Sequence, residues 1–310
     1  MYRRLFLLAS LFGISAIALP QRINSTPGYI KSITSEWTGE RFADGRPKVS
    51  DSYLERLKNI SVEEAYAFLR ARGYHNQFER KWEILHPEET MTGRVVTAQY
   101  MPSRPDYDKY IRELGKQEDR TQEGGTNSWP IDILVDGDVY VADGYGKIVD
   151  GTLIGDNLGN SIYSKSKRGV VFYGSIRDEE GLAEIEGFNA WFLGSDPSWI
   201  TNMMLTSINA PVRIGNATVF PGDVVLAKKY GVIFIPAYLV KDLVINGEVT
   251  ALRDEFGHQR LREGRYKPGQ IDTRWSEEIR NDFLSWLKNY PGKLPMTQEE
   301  LDNYFKDRNW

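Results

Sequence analysis

The sequence predicts an α/β fold, and three observations carry that expectation. Val139-Tyr140-Val141-Ala142 and Gly169-Val170-Val171-Phe172-Tyr173 are apolar, β-branched runs of strand length. Asn157 to Arg168, between them, has the length and composition of a helix, so strand, helix and strand follow at the spacing of a βαβ unit. Similar runs recur at Arg94 to Tyr100, Val224 to Ala227 and Val232 to Pro236. With 310 residues, 41% hydrophobic and 26% charged, the chain is long enough to bury a core of its own.

Taken in order, residues 1–20 read as an export signal. Arg3 and Arg4 give a basic start, Leu5 to Leu19 an almost uninterrupted apolar run, and Ala16-Ile17-Ala18 the small residues of a cleavage point. The run is shorter than the roughly twenty residues that span a bilayer. The expectation is therefore a cleaved signal and an exported chain, periplasmic or secreted, with no stable membrane association afterwards. An uncleaved anchor or a buried helix is the competing reading. No cysteine follows to take a lipid.

Residues 21–60 form a polar arm punctuated by glycine and proline, with a short helix expected around Asp51 to Lys58. Residues 61–248 form the main domain. Ser61 and Glu64 make a capping box that opens a helix with Ala65, Phe68 and Leu69 on one face, ending at Gly73. Residues 104–130 are charged and turn-rich, which suits an insertion or lid. Ile131 to Val135, Ala190 to Leu193 and Val212 to Ile214 read as further strands. Residues 249–310 form a helical extension in which Trp275, Phe283, Trp286 and Leu287 make one apolar stripe.

Composition removes several chemistries. The absence of cysteine excludes disulfides, thiolate nucleophiles and iron–sulfur clusters. Three scattered histidines (His75, His86 and His258) leave no His-rich centre. A metal here would rest on oxygen donors, which suits Mg²⁺ or Mn²⁺ better than Zn²⁺. A net charge of −4 without a basic patch argues against nucleic acid as a partner.

Two loops hold the candidate site. Gly155-Asp156-Asn157-Leu158 opens the expected helix, where glycine allows close approach and first-turn N–H groups favour an anion; Asp156 is the expected N-cap. Gly174-Ser175-Ile176-Arg177-Asp178 follows the Val170–Tyr173 strand. Ligands gather at the carboxyl ends of strands in open α/β sheets, and an Arg beside an Asp offers a carboxylate clamp next to a metal ligand. Lys165 and Lys167 lie near but read as solvated helix residues.

Asp156, Arg177 and Asp178 form a D-x20-R-D spacing, and this stretch resembles the RraA-like family, which includes metal-dependent 4-hydroxy-4-methyl-2-oxoglutarate aldolases and regulators of ribonuclease activity. Glu89-Thr90-Met91-Thr92-Gly93-Arg94-Val95-Val96-Thr97-Ala98, Ile208-Asn209-Ala210-Pro211-Val212 and Val219-Phe220-Pro221-Gly222-Asp223-Val224 are similar to other family segments. The resemblance spans about Ser61 to Val244. It implies a three-layer β/β/α swivelling-domain-like core, here with an N-terminal arm and a helical C-terminal tail, assembled as a homotrimer or homohexamer.

It further implies a divalent metal cation (Mg²⁺ or Mn²⁺) on Asp178 and a small 2-oxo acid substrate. Arg177 would bind that substrate and steady an enolate, and Asp156 would orient water or assist proton transfer. The backbone of Gly155 to Leu158, Asn157 included, would hold the substrate carboxylate. The implied activity is retro-aldol cleavage of a 4-hydroxy-2-oxo acid, decarboxylation of oxaloacetate, or both, releasing pyruvate. Where many members carry an acidic stretch, this chain has Lys228-Lys229-Tyr230-Gly231. The aldolases also borrow a carboxylate from a neighbouring subunit, for which Glu248 and Glu255 are the candidates considered. The alternative is a non-catalytic binding or regulatory protein on the same fold. A two-carboxylate carbohydrate enzyme ranks last, because no matching pair stands out.

Overall fold

The computed structural model describes residues 22–306, so the export signal expected over residues 1–20 lies outside the described residues. The arm contains more helix than its polarity suggests. α1 (Pro27–Ile33) starts where the Thr26 hydroxyl accepts from the Tyr29 N–H, and Pro27 supplies a first-turn residue that needs no donor. α2 (Asp51–Leu57) is capped by Ser50. α3 (Val62–Arg70) opens on the expected capping box: the Ser61 hydroxyl accepts from Glu64 N–H at 3.0 Å, and the Glu64 carboxylate accepts from Ser61 N–H at 2.9 Å.

After two short strands, β1 (Phe78–Glu79) and β2 (Glu83–Ile84), comes the long β3 (Met91–Pro102). The expected lid region instead holds α4 (Pro105–Gln117), whose Ile111 and Leu114 are buried. The strand expected over Ile131 to Val135 is also corrected, because this stretch belongs to α5 (Trp129–Asp132) and a following turn. Pro130 cannot donate to a strand ladder but suits a first helical turn. The Asp138 carboxylate then accepts from Val135 N–H at 3.0 Å and closes the turn.

The remaining core elements are β4 (Asp138–Asp143), α6 (Asp156–Ser166), β5 (Val170–Tyr173), β6 (Ser175–Ile176), α7 (Glu179–Ala183), β7 (Ala190–Phe192), β8 (Gly194–Ser195), β9 (Met203–Ile208), β10 (Val212–Ile214), β11 (Ala217–Val219), β12 (Val224–Lys228) and β13 (Gly231–Ile235). The main sheet runs β1-β13-β12-β3-β4-β5-β7-β2, with β9 on β3. β3, β4, β5 and β7 are parallel neighbours, while the flanking pairs are antiparallel. β3 pairs β12 through Met91–Arg94 and β9 through Ala98–Pro102, with a register shift at Gln99/Tyr100. One strand thus serves two partners along its length.

β4 is buried along its whole length, and its alternate side chains enter different layers. Tyr140 and Ala142 pack with α4 to α7, whereas Val139 and Val141 pack against the β10–β11 hairpin. The same alternation in β12 and β13 sends Leu226 and Ile233 toward α2, α3 and α8 (Val240–Arg262), and Val225 and Phe234 toward the hairpin. The result is a mixed α/β fold with a central mixed sheet, as the sequence leads one to expect.

α8 runs unbroken across residues 248 and 249, so the C-terminal extension starts within a helix. α9 (Pro268–Ile271), α10 (Glu277–Lys288) and α11 (Gln298–Lys306) complete the chain. Trp275, Phe283 and Leu287 of the expected stripe pack on Val249, Leu252 and Phe256 of α8, and Trp286 donates to Gln259 Oε1 at 2.8 Å. Arg56 joins arm to tail through a bidentate pair with Glu248, at 2.8 and 2.7 Å, and a 3.1 Å contact with Glu300. Among the described residues no helix is long and apolar enough to cross a membrane.

Candidate active site

The parallel strands β4 and β5 end at the same edge of the sheet, and the loops after them carry the site residues. Backbone bonds stitch the two loops together: Leu153 N–H donates to Ser175 O at 2.9 Å, and Arg177 N–H to Ile154 O at 3.0 Å. Two loops separated by the whole of α6 in sequence therefore lie side by side.

Gly155, not Asp156, is the N-cap of α6; its extended backbone (φ −125°, ψ −167°) leads into a helix whose first residue is Asp156. This corrects the expected cap. The Asp156 carboxylate accepts from Asn157 N–H at 2.7 Å, while a cap without a side chain leaves the helix end open to a ligand. Gly155 is buried, Asp156 and Leu158 are half-buried and Asn157 is exposed.

Asp178 adopts a left-handed backbone (φ 55°, ψ 42°) as the N-cap of α7. That conformation is uncommon outside glycine, asparagine and aspartate. It turns the carboxylate back onto the first loop: a Cβ built at Gly155 would overlap Asp178 Oδ2. Arg177 Nη1 stands 3.1 Å from Asp178 Oδ2, and both side chains are more than a third exposed. Asp156 lies over α7, where a Cβ at Gly181 would meet its Cβ at 3.0 Å and Oδ2 at 3.4 Å. Asp156, Arg177 and Asp178 are thereby gathered around one helix start.

A cleft of about 90 Å³ opens beside them, walled by Leu153, Ile154, Gly155, Asn157, Leu158 and Arg177. Asn127, Trp199 and Ile200 complete it and were not singled out by the sequence. The Asn127 amide donates to Leu153 O at 2.8 Å and holds the loop behind Gly155. The Trp199 loop is tied down by Asp150 N–H to Ser198 Oγ at 2.7 Å and by Thr152 Oγ1 to Ser198 O at 2.6 Å. A tryptophan within the polar run Ser195-Asp196-Pro197-Ser198-Trp199 is the signal that could have pointed to it, since binding residues are disproportionately carried on loops.

Among the described residues no three His, Asp or Glu side chains converge to hold a metal by themselves. Glu248, considered as a donated carboxylate, is buried and paired with Arg56 of its own chain, and Glu255 accepts from the Tyr290 hydroxyl at 3.0 Å. Lys165 reaches Asp132 O at 3.2 Å, away from the cleft. What remains is one accessible carboxylate on a rigid turn with a second nearby. That donor set fits a hydrated Mg²⁺-like ion, which is held by one or two carboxylates and keeps several waters, rather than an all-protein cage.

The family model described as RraA-like, Aldolase/RraA, matches residues 47–234, more than half of the chain. A protein of Ectopseudomonas mendocina named "Putative 4-hydroxy-4-methyl-2-oxoglutarate aldolase" is 33% identical over 110 residues, 35% of this chain and 66% of that one. Its namesake in Stutzerimonas stutzeri is 33% identical over 107 residues, 34% of this chain and 64% of that one. The chain thus spans just under two thirds of the length of these curated relatives. The solved structure of RraAS2 from Streptomyces coelicolor, described as an unusual member of the RNase ES inhibitor RraA protein family, superposes with a TM-score of 0.58 at 24% identity. That alignment covers 69% of this chain and 100% of the other, and the likeness is one of fold.

Proposed function

Because the chain belongs to the RraA-like family, we propose that it is a divalent-metal-dependent lyase acting on small 2-oxo acids. The reaction is retro-aldol cleavage of a 4-hydroxy-2-oxo acid such as 4-hydroxy-4-methyl-2-oxoglutarate, decarboxylation of oxaloacetate, or both, with release of pyruvate. The observation that carries this reading is the packing of the Asp178 carboxylate on Gly155, which sets an acid beside the guanidinium and the open helix start that line the cleft.

Bound Mg²⁺ or Mn²⁺ would supply Lewis acidity to the reaction, and Asp178 is the residue that would hold it. The first-turn N–H groups from Gly155 to Leu158 bind the substrate carboxylate, aided by the positive end of α6. Arg177 places fixed positive charge where the enolate develops as the C–C bond breaks. Asp156, within reach of water at the helix start, takes or returns the proton. Leu158, Ile200 and Trp199 give the cleft its apolar wall. The same residues in a homotrimer or homohexamer would face a neighbouring subunit, and the proposal includes export to the periplasm or medium.

The test is pyruvate release from oxaloacetate and from 4-hydroxy-4-methyl-2-oxoglutarate with Mg²⁺, with Mn²⁺ and with chelator. Turnover that chelator abolishes and metal restores supports the lyase. A non-catalytic binding or regulatory role has one observation in its favour: Arg177 already pairs with Asp178, and among the described residues no group of three metal-ligating side chains forms there. An assembled oligomer that turns over neither substrate with any divalent metal would establish that reading instead.

A further inference from the structure

The arm and the core enclose a second cavity, of about 190 Å³, well separated in sequence from the cleft residues. Trp37 of the arm, Tyr74, Phe220 and Tyr238 wall it, with Glu36 and Asp223. Trp37 and Glu36 precede the family-matched residues 47–234, so this chain's own arm closes the space.

The polar groups of the aromatic walls are already engaged. Trp37 Nε1 donates to Glu40 O at 2.8 Å, and the Tyr74 and Tyr238 hydroxyls bond to each other at 2.8 Å. The rings therefore present chiefly faces and edges, with one hydroxyl hydrogen of the Tyr74–Tyr238 pair left to donate. Asp223 is 6% exposed, and among the described residues its carboxylate meets one donor, the Phe220 N–H at 2.8 Å. No Lys, Arg or His is among the described residues that line the cavity. A buried carboxylate with a single neutral donor, among aromatic rings and beside a second acid, is an environment that a cation would complete.

We infer that this cavity binds a small organic cation, a primary ammonium group on an apolar or aromatic body, with the ammonium on Asp223 and the body against Trp37, Tyr74 and Tyr238. Neutral polar ligands fit poorly because the walls offer few free donors. Anions are opposed by the Glu36 carboxylate and, once ionised, by Asp223. Burial pushes Asp223 up to about 7, against the Phe220 N–H, so a cation that draws the carboxylate back to its ionised form gains from the pairing. Burial, with the bond to Tyr238 and the charges of Asp223 and Glu36, pushes Tyr74 up to about 12, so the ring remains a neutral wall.

The experiment titrates the full chain with 2-phenylethylammonium and with its neutral isostere 2-phenylethanol, read by calorimetry and saturation-transfer NMR. The ammonium should bind about tenfold or more tightly than the alcohol. D223N should erase that preference, W37A should weaken the ammonium about tenfold, and D178N should leave it unchanged because the lyase cleft is elsewhere. Equal affinity for the two probes, no binding of the ammonium, or affinity unmoved by W37A would overturn the inference. Near-UV circular dichroism checks that D223N folds; should it not, the probe pair and the half-buried Trp37 decide the matter. The outcome is independent of whether 2-oxo acids are turned over.

Discussion

The Asp178 carboxylate rests against the Cα of Gly155, leaving no room for a side chain at that position; a Cβ there would overlap Oδ2 and stand 3.3 Å from Arg177 Cγ. The two loops of the site are therefore matched in shape, and a side chain at position 155 would have to push the Asp178 carboxylate aside; close approach rather than dihedral angles is what glycine supplies there.

G155A should displace Asp178 and Arg177 together. Misplacement of catalytic groups by about 1 Å costs about 100-fold in rate, and a loss of that order in pyruvate release is expected. Far-UV circular dichroism should be unchanged. Full activity in G155A would mean that the Asp178 position does not matter to turnover.

D178N keeps the left-handed backbone, which asparagine tolerates, and removes only the charge. Because the side chain is exposed, stability should stay within about 0.5 kcal/mol of wild type. Turnover and Mn²⁺ binding, followed by electron paramagnetic resonance, should both disappear. Retained Mn²⁺ binding would move the metal to another residue.

Arg46 carries the arm's tie to the core. Its guanidinium, 1% exposed, bonds Asp138 in bidentate fashion at 2.9 and 3.0 Å and also holds Asp44 at 2.7 Å. R46A strands a buried carboxylate and should cost about 3–5 kcal/mol in urea unfolding. The double variant Arg46→Met with Asp138→Leu should cost less than R46A alone, since it removes the fully buried carboxylate and leaves unpaired only Asp44, which reaches solvent.

Asp223 sets a pH dependence of stability. Its carboxyl, raised to about 7, is favoured in the protonated form by the fold, whereas the unfolded chain titrates near the ordinary value of about 3.9. The contribution is therefore fully present below about pH 4 and is lost as pH rises through about 7. D223N, which does not titrate, should gain stability relative to wild type between pH 5 and pH 8. Parallel urea curves for the two proteins at both pH values check the sign; a constant difference would contradict it.

Trp199 is 69% exposed at the mouth of the cleft. W199A should leave the melting temperature within about 1–2 °C of wild type and raise KM for 2-oxo acid substrates several-fold. Unchanged KM and kcat would make it a contact for another subunit or partner instead.

Much of this was open to reading in the chain itself. The β-branched runs at Val139–Ala142 and Val170–Tyr173 are strands because their side chains are apolar on both faces, and the Ser61–Glu64 box opens a helix through purely local bonds. The family resemblance carried by the D-x20-R-D spacing named Asp156, Arg177 and Asp178 as candidates before any fold was known. Local signals misled where proline and tertiary packing overrode them. Ile131 to Val135 looks like a strand, yet Pro130 starts a helical turn and Ile131 packs among the helices. The charged stretch 104–130 hides α4, because its buried Ile111 and Leu114 are outnumbered by polar residues.

The amino-acid sequence determined the fold class and the residue types available for chemistry, since hydrophobic period and capping are properties of neighbours along the chain, and it carried the resemblance to the RraA-like family. The tertiary structure alone decided that Gly155 and not Asp156 caps α6, that Asp178 lies on Gly155, that Glu248 is held by Arg56, and that Trp37 meets Asp223 across a cavity. All but the first of these join residues on separate elements. Their distances depend on sheet order and on the register of packed layers, which no local pattern encodes.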